Sequence, residues 1–212
     1  SDHGFHSWRR GFNVNTWLVQ EGFMTLKGGA KSTNRKFLQD VDWSKTKAYA
    51  LGVGSIYVNL RGREGKGIVN PGAEYDQLIR DIRERMTALV DPATGKPAVL
   101  KVYAAKDLWK GARLPDGQDM QVGMASGYRV SSATPLGGAP EGLFEDNRKK
   151  WSGDHATTET EQTEGIFLSN RKVDGDRFSI GDLAPTILGL LGGPVPANYD
   201  GHALKVAGPG GN

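Results

Sequence analysis

Two aspartate–histidine pairs are the residues of this sequence whose types and spacing best suit chemistry. The chain has four histidines, and two of them directly follow an aspartate, in Asp2-His3-Gly4 and in Ser152-Gly-Asp154-His155. A neighbouring glycine lets the backbone bend sharply, so both side chains of a pair can turn towards one ion. Carboxylate oxygen and imidazole nitrogen suit zinc, manganese or iron. Spacing alone favours histidines satisfied by ordinary surface or core contacts, for the two pairs as for His6 and His202, and metal ligation by the two pairs is the alternative.

A second group of candidates follows a predicted strand. Asn59, Arg61 and Arg63 stand close together, with Gly62 between the two arginines and Glu64 after them. The arginine fork matches the oxygens of phosphate or carboxylate groups. Two interpretations fit this run. The preferred one is a solvated hairpin tip with an internal ion pair, and the other is a loop that binds an anion.

Two further candidates, Tyr128 and Arg129, lie in the long stretch before His155. They contact substrate if this stretch covers the site, and they belong to a surface loop if it does not.

Composition narrows the classes of function. The 212 residues include no cysteine, which excludes a disulfide framework, a thiolate nucleophile and a cysteine-ligated metal. The net charge is +3, from 27 basic and 24 acidic residues. The basic clusters have acidic neighbours, so we expect no nucleic-acid partner. No apolar run approaches the roughly 20 residues that cross a bilayer, so no membrane segment is predicted, and the compartment is left open between bacterial cytoplasm and periplasm.

The elements that must position these residues alternate between strand and helix, which predicts an α/β fold. Between 111 and 164 the chain is mostly turn-like, with one strand. An apolar repeat at three and four residues makes the helix from Pro71 the clearest element. The last helix is expected to be capped by Asp182. The predicted helices are Asn13–Phe23, Pro71–Val90, Ala104–Trp109 and Asp182–Leu191, and the predicted strands are Lys47–Gly52, Ser55–Leu60, Val99–Tyr103, Met120–Met124 and Gly165–Ser169. The five tryptophans are expected to be packing anchors.

The ordered motifs resemble the alkaline phosphatase superfamily, and within it the type I phosphodiesterase/nucleotide pyrophosphatase group of predicted phosphohydrolases and phosphomutases. The first motif, Ser1-Asp-His-Gly-Phe5, is similar to the metal-binding motif of that superfamily. The resemblance continues in order to about residue 204. Its further parts are Asp42–Thr46, Ala48–Gly52, Ile56–Glu64, Gly127–Arg129, Asp146-Asn147, Trp151–His155, Asp182–Thr186, Pro194–Pro196 and Asp200-Gly201.

The resemblance implies a two-metal site that hydrolyses phosphate esters. Two divalent cations, zinc or alternatively manganese, would activate a hydroxyl nucleophile and hold phosphoryl oxygens. Asp2 and His3 match the ligands of one cation and His155 matches a ligand of the other, while Asp154 would support the ring of His155. Asn59, Arg61, Arg63, Tyr128 and Arg129 are the further candidates for contact with substrate or ligands.

The departure from the family pattern is equally specific. In the family, the nucleophile and three further ligands precede the Ser-Asp-His-Gly motif, and this sequence has no residues at those positions. The chain thus looks like the C-terminal portion of an alkaline-phosphatase-like sheet flanked by helices. We expect weak or absent metal binding and no turnover without the missing N-terminal half. The apolar surface left uncovered would be found at Phe5, Phe12 or the Gly165–Ser169 strand, unless a second copy of the chain covers it in a homo-oligomer.

The predicted domain organisation follows from the resemblance. Residues 1–33 and 129–205 form the metal-site part, residues 34–128 a smaller inserted α/β subdomain, and residues 206–212 a flexible tail. The expected partner is a small phosphate ester, and diester or pyrophosphate cleavage is preferred over monoester, sulfatase or mutase chemistry. The alternative function is a non-catalytic binding or structural module that retains the fold.

Overall fold

The computed structural model describes residues 1–156 and 159–208, and the chain divides into two compact units that are considered separately. One unit is Ser1–Gly4 with Glu164–Asn212, and the other is Phe5–Thr163. The division predicted from the sequence, with an inserted subdomain at residues 34–128, stays a prediction. Of the predicted tail, residues 209–212 lie outside the described residues, whereas Val206 forms a bridge with Val173.

The Phe5–Thr163 unit combines short strands with a few helices. Its described helices are α1 (Val14–Gln20), α2 (Ala73–Thr87), α3 (Ala105–Leu108) and α4 (Thr160–Thr163). Its described strands are β1 (His6–Phe12), β2 (Ala48–Ala50), β3 (Ser55–Val58), β4 (Val90–Asp91), β5 (Lys96–Pro97), β6 (Val99–Ala104), β7 (Met120–Met124), β8 (Gly127–Val130), β9 (Phe144–Asp146) and β10 (Gly153–Asp154).

Strand β1 organises the first sheet. It pairs in parallel with β8 and antiparallel with β9 and β10. Trp8 and Phe12 are buried in this strand. The expectation of one strand between residues 111 and 164 is therefore wrong. Strands of two to four residues are too short to show the alternation of apolar and polar side chains that identifies a strand in a sequence. Strands β8, β9 and β10 form because each pairs its backbone with β1.

The second sheet has the order β2-β3-β7-β6 and is antiparallel throughout. Helix α2 packs against β6 through four buried apolar side chains: Leu78, Ile79, Ile82 and Met86. These residues belong to the predicted repeat, so the helix is confirmed. It begins after Gly72, whose φ of 90° suits glycine, so Pro71 lies before the helix instead of in its first turn.

The unit of Ser1–Gly4 and Glu164–Asn212 contains helix α5 (Leu183–Leu190), preceded by a 3-10 turn at Ile180–Asp182. Asp182 is not the capping side chain that the sequence predicts. Ser179 accepts from the Gly181 amide, and the Asp182 carboxylate accepts from the amides of Ser179 and His202. Asp182 thus closes a capping box from inside the turn.

The predicted strand Gly165–Ser169 is wrong, because no strand is assigned there. Two hydrogen bonds join Ile166 to Ser1: the Ser1 amino group donates to the Ile166 carbonyl oxygen, and the Ile166 amide donates to Ser1 Oγ. An apolar run becomes a strand only when a ladder of backbone partners runs along it. Ile166 and Leu168 are exposed, as is Phe5 in the other unit, whereas Phe12 is fully buried. The expected exposure is thus confirmed at Phe5 and in the 166–168 segment.

The coarse α/β class is confirmed, since helix and strand each make up 24%. Among the described residues, no helix is both long and apolar enough to cross a membrane.

Candidate functional site

The Asp2-His3 pair is positioned by contacts of the adjacent Ser1 with Gly165 and Ile166, and by a contact of His3 with Gly4. Besides its bonds to Ile166, Ser1 passes so close to Gly165 that a Cβ there would lie 2.5 Å from the Ser1 carbonyl oxygen. His3 Nδ1 lies 3.1 Å from the Gly4 carbonyl oxygen, and His3 Nε2 lies 3.3 Å from Asp2 Oδ2.

The second pair follows from strand β10. Asp154 pairs with His6 in the β1–β10 ladder, and the Trp8 amide donates to the Ser152 carbonyl at 2.8 Å. Successive residues of an extended chain point to opposite sides, so burial of Asp154 leaves His155 exposed. The His155 ring contacts Phe5, with ring centroids 5.4 Å apart.

The buried Asp154 carboxylate joins a cluster that sequence spacing does not reveal. We define the Asp154 cluster as His6, Trp8, Arg129 and Asp154. Asp154 Oδ1 lies 3.1 Å from Arg129 Nη1, and Oδ2 lies 3.5 Å from His6 Nε2. The Arg129 guanidinium lies 4.8 Å from the centre of the Trp8 ring. Among the described residues, the two ring nitrogens of His6 are buried without a hydrogen-bond partner. A sequence signal for this cluster is lacking, because β1, β8 and β10 bring it together from distant positions.

Arg63 is committed to an internal ion-pair network. Its Nη1 and Nη2 donate to Asp119 at 3.0 and 2.6 Å, and its Nε donates to Glu64 at 2.8 Å. Burial lowers the pKa of Arg63, but the hydrogen bond and charge of Asp119 outweigh burial and raise it overall. Arg61, in contrast, is exposed and donates to the Ile68 carbonyl at 3.3 Å. The structure thus places an internal ion pair at Arg63, and Arg61 alone of the two guanidinium groups faces solvent.

Tyr128 is also part of an internal network. Its hydroxyl lies 2.6 Å from Thr94 Oγ1 and donates to Asp91 Oδ2 at 3.1 Å. Arg10 Nε donates to the same carboxylate at 2.5 Å. Burial raises the pKa of Asp91, yet the Ala93 amide and Arg10 together lower it below its ordinary value. Tyr128 and Asp91 therefore help to hold the β4–β5 hairpin near β1.

The Asp2-His3 pair passes one geometric test for a metal. Two ligands at 2.0–2.1 Å from a tetrahedral zinc ion lie about 3.3 Å apart, and the Asp2 Oδ2 to His3 Nε2 distance is 3.3 Å. Within residues 1–156 and 159–208, no group of three or more histidine, aspartate or glutamate side chains is close enough together to hold a metal. The described residues thus supply a pair of donors, which is half of a tetrahedral set.

Comparison with known proteins does not assign the chain to a family. The chain matches no protein-family model, no curated protein and no solved structure.

Proposed function

We propose that this chain is part of a metal-dependent phosphohydrolase of the phosphodiesterase/nucleotide pyrophosphatase type in the alkaline phosphatase superfamily. The observation that supports the proposal is the 3.3 Å contact of Asp2 Oδ2 with His3 Nε2, a distance compatible both with an ordinary ion pair and with two ligands of one ion, within a motif that resembles the metal motif of that superfamily. Two divalent cations, zinc or manganese, would polarise the phosphoryl oxygens and activate a hydroxyl nucleophile. No residue of this sequence matches the nucleophile or the remaining ligands of that superfamily.

In this proposal each pair has its own task. Asp2 and His3 bind one cation, and the hydrogen bond of Nδ1 to the Gly4 carbonyl keeps Nε2 in its ligating form. His155 is a ligand of the other cation. Its neighbour Asp154 fixes the backbone there, because its carboxylate contacts Arg129 and His6 on the buried side of β10. A rigid strand end reduces the entropy that a ligand loses on binding.

Manganese broadening of histidine NMR signals tests this assignment even when binding is weak. We expect Mn²⁺ to broaden the ring signals of His3 and His155 at lower concentration than those of the exposed His202. The substitution His3→Gln should abolish the Mn²⁺ broadening of the backbone amide signals next to Asp2. The matched control His202→Gln should leave that broadening unchanged. Equal broadening of His202 and His3 would show that only nonspecific contact occurs, and it would contradict the proposal.

An activity assay on the same samples tests the incomplete site. With three proposed ligands and no nucleophile, we expect no hydrolysis of bis(p-nitrophenyl) phosphate by the chain alone in the presence of zinc. Tight zinc binding together with metal-dependent turnover would contradict the incomplete site.

The exposed apolar side chains near α5 favour one alternative, a non-catalytic binding module. Ile187, Leu190 and Leu191 are all more than half exposed, which is typical of a surface that contacts another protein. Under this alternative the chain folds stably, ignores Mn²⁺ and phosphate analogues, and binds a protein partner through these side chains.

A further inference from the structure

A short loop projects from the edge of the first sheet. Strands β9 and β10 lie one after the other along β1, which pairs Arg10 with Asp146 and Ser7 with Gly153. Between these two pairs β1 has two residues, whereas the opposing chain has six, residues 147–152. An unbroken strand would need only two residues there, so four residues must bulge out of the sheet.

Hydrogen bonds identify the four residues and close the loop. The Asn147 amide donates to a β1 carbonyl at 2.7 Å, and the Ser152 carbonyl accepts from a β1 amide at 2.8 Å, so both residues stay in line with the strand. The bulge is therefore Arg148–Trp151, which we call the basic loop. Asn147 Nδ2 donates to the Trp151 carbonyl at 2.7 Å, and its Oδ1 accepts from the Lys149 amide at 3.0 Å. One amide side chain thus holds the base of the loop.

All four side chains of the basic loop are exposed. Three consecutive cations, Arg148, Lys149 and Lys150, precede Trp151, which is 82% exposed although the sequence predicts a packing anchor. In the part of the chain that the structure describes, none of the three cations has an ion-pair partner. Packing and pairing within the described fold therefore do not account for these side chains.

The neighbouring face of the first sheet adds another cation and another aromatic ring. Arg9 and Phe5 are exposed, Phe5 at 69%, whereas Trp8 between them is buried. A Cβ on Gly153 would lie 3.9 Å from Phe5 Cδ1, and Trp151 precedes Gly153 by two residues, which is about 7 Å of extended chain. Both exposed rings therefore belong to one edge of this sheet.

The acidic residues before the loop leave this face positively charged. Asp146 is paired with Arg10. The Glu145 side chain lies over Gly11, where a Cβ would be 2.9 Å from Glu145 Cγ. Arg9 and the basic loop carry four positive charges, and Glu145 offsets one of them.

A projecting loop with cations and an indole suits the surface of an anionic bilayer. Lysine and arginine are attracted to anionic headgroups, and tryptophan favours the headgroup level because its ring is apolar with one polar N–H. A single-stranded nucleic acid would instead need a groove that follows its backbone and several rings for successive bases. The basic loop offers one indole, and the Phe5 ring contacts His155.

We propose that the basic loop docks the Phe5–Thr163 unit on an anionic phospholipid surface, with Trp151 among the headgroups and the three cations against lipid phosphates. Attachment through so few groups is peripheral and reversible. The proposal is independent of the phosphohydrolase assignment, because neither cations nor substrate of that site take part in it.

Vesicle sedimentation of the unmodified chain tests the lipid requirement. We expect the chain to sediment with vesicles of equal parts phosphatidylglycerol and phosphatidylcholine. Partition into vesicles of phosphatidylcholine alone should be at least about tenfold weaker, because they lack net negative charge. Binding to the anionic vesicles should also fall as salt is raised from about 0.05 M to about 0.5 M, since salt screens the headgroup charge.

Paired substitutions locate the contact. Lys149→Gln combined with Lys150→Gln should weaken the partition about twentyfold, because each cation near the surface contributes about fivefold. The control combines Lys31→Gln with Lys36→Gln, which removes the same charge from exposed sites beside another exposed ring, Phe37. It should change the partition less than about threefold, since those cations lie away from the proposed contact.

Brominated phosphatidylcholine reports whether the indole enters the bilayer. Bromine on an acyl chain quenches a tryptophan that lies close to it, so we expect anionic vesicles containing this lipid to quench the bound chain. Trp151→Phe should remove the quenching, whereas Trp109→Phe, at a half-exposed tryptophan elsewhere, should retain it.

Several results would overturn the proposal. They are absence of sedimentation with anionic vesicles up to about 10 mM lipid, equal binding to neutral vesicles, an equal loss in the two lysine pairs, and quenching that Trp151→Phe leaves intact. Displacement of the chain from vesicles by oligothymidylate, through the same two lysines, would also overturn it and would assign the basic loop to single-stranded nucleic acid.

Discussion

At the scale of single residues, each of three buried aspartates of the larger unit is paired with an arginine: Asp91 with Arg10, Asp119 with Arg63 and Asp154 with Arg129. Asp119 accepts from Arg63, from the Val58 amide at 2.6 Å and from the Tyr75 hydroxyl at 2.8 Å. Arg63, for which the sequence favours an internal ion pair, donates to Glu64 and to the Asp119 carboxylate just before β7. The sequence shows which residue types are close in number, but the partner of Arg63 lies on a segment more than fifty positions away.

Loss of the Arg63 side chain should destabilise the chain strongly. Arg63→Met leaves the buried Asp119 carboxylate without its cation, and the expected loss is about 3 kcal/mol of unfolding free energy. The control Arg113→Met removes an exposed pair with Asp116 and should cost less than about 1 kcal/mol. Urea denaturation of the two variants measures the difference, and similar midpoints would contradict the structural role of Arg63.

Asp91 should make stability depend on acid pH. Its pKa in the fold lies below its ordinary value of 3.8, so the carboxylate stabilises the fold above that value, and the contribution is lost as pH falls through the folded pKa. Asp91→Asn removes the effect. The difference in unfolding free energy between wild type and variant should therefore shrink as the pH falls from about 5 to about 2. A difference that stays constant over this range would show that the carboxylate charge does not contribute.

The proposed metal pair could be predicted from sequence because its two residues are adjacent. The Asp154 cluster could not, since it depends on which strands flank β1. The same holds for the buried Asn59 amide, whose Nδ2 donates to the carbonyls of Trp43, Thr46 and Lys66.

At the scale of elements, the loop after β3 is fixed by close backbone packing. A Cβ on Gly67 would lie 2.1 Å from the Leu60 carbonyl oxygen, whereas nothing lies within 4 Å of a Cβ on Gly65. Neither glycine has a positive φ. The two positions therefore differ in the room available for a side chain and not in backbone strain.

These glycines provide a matched test of the loop. Gly67→Ala should lower the unfolding free energy by about 1–3 kcal/mol, because a backbone atom must move. Gly65→Ala should have no cost beyond about 0.5 kcal/mol. Thermal unfolding of the two variants measures the effect. If both variants melt together with wild type, the close approach of Gly67 to Leu60 is absent in solution.

Local pattern predicted the elements that carry their own periodicity. Helix α2 was identified from its apolar repeat, and the strands of the second sheet from their Val, Ile and Tyr content. The residues of Gly165–Ser169 have the same strand-like content, yet in the part of the chain that the structure describes no strand pairs with them, and Ile166 bonds the amino group and hydroxyl of Ser1. Pairing partners, which the residue types do not encode, explain both this error and the strands that the sequence does not predict: β1, β4, β5, β8, β9 and β10.

At the scale of the whole molecule, the feature with most consequence is the exposed apolar surface of the smaller unit. Leu168 is 88% exposed and Leu191 is 78% exposed. Large exposed leucines are typical of surfaces that bind another protein or a second copy of the chain.

Substitution of one of these leucines should reduce self-association without loss of stability. We expect wild type to form larger species as concentration rises, and Leu191→Lys to weaken this, because a charge resists burial. Leu100→Lys, at a half-exposed leucine of β6, is the control. Sedimentation velocity measures the species present. Equal association of all three proteins would exclude Leu191 from the contact.

The position of β1 also determines the order in which the chain can fold as it is synthesised. His6 pairs with Asp154 and Trp8 with Gly127, whereas β2, β3, β6 and β7 are complete by Met124. At about 5–20 residues per second on the ribosome, β1 waits on the order of ten seconds for its partners, with Trp8 and Phe12 uncovered. The second sheet can close during that interval. The first strand of the sequence is thus among the last to be paired, and a nascent-chain chaperone that shields residues 6–12 would protect the step most open to aggregation.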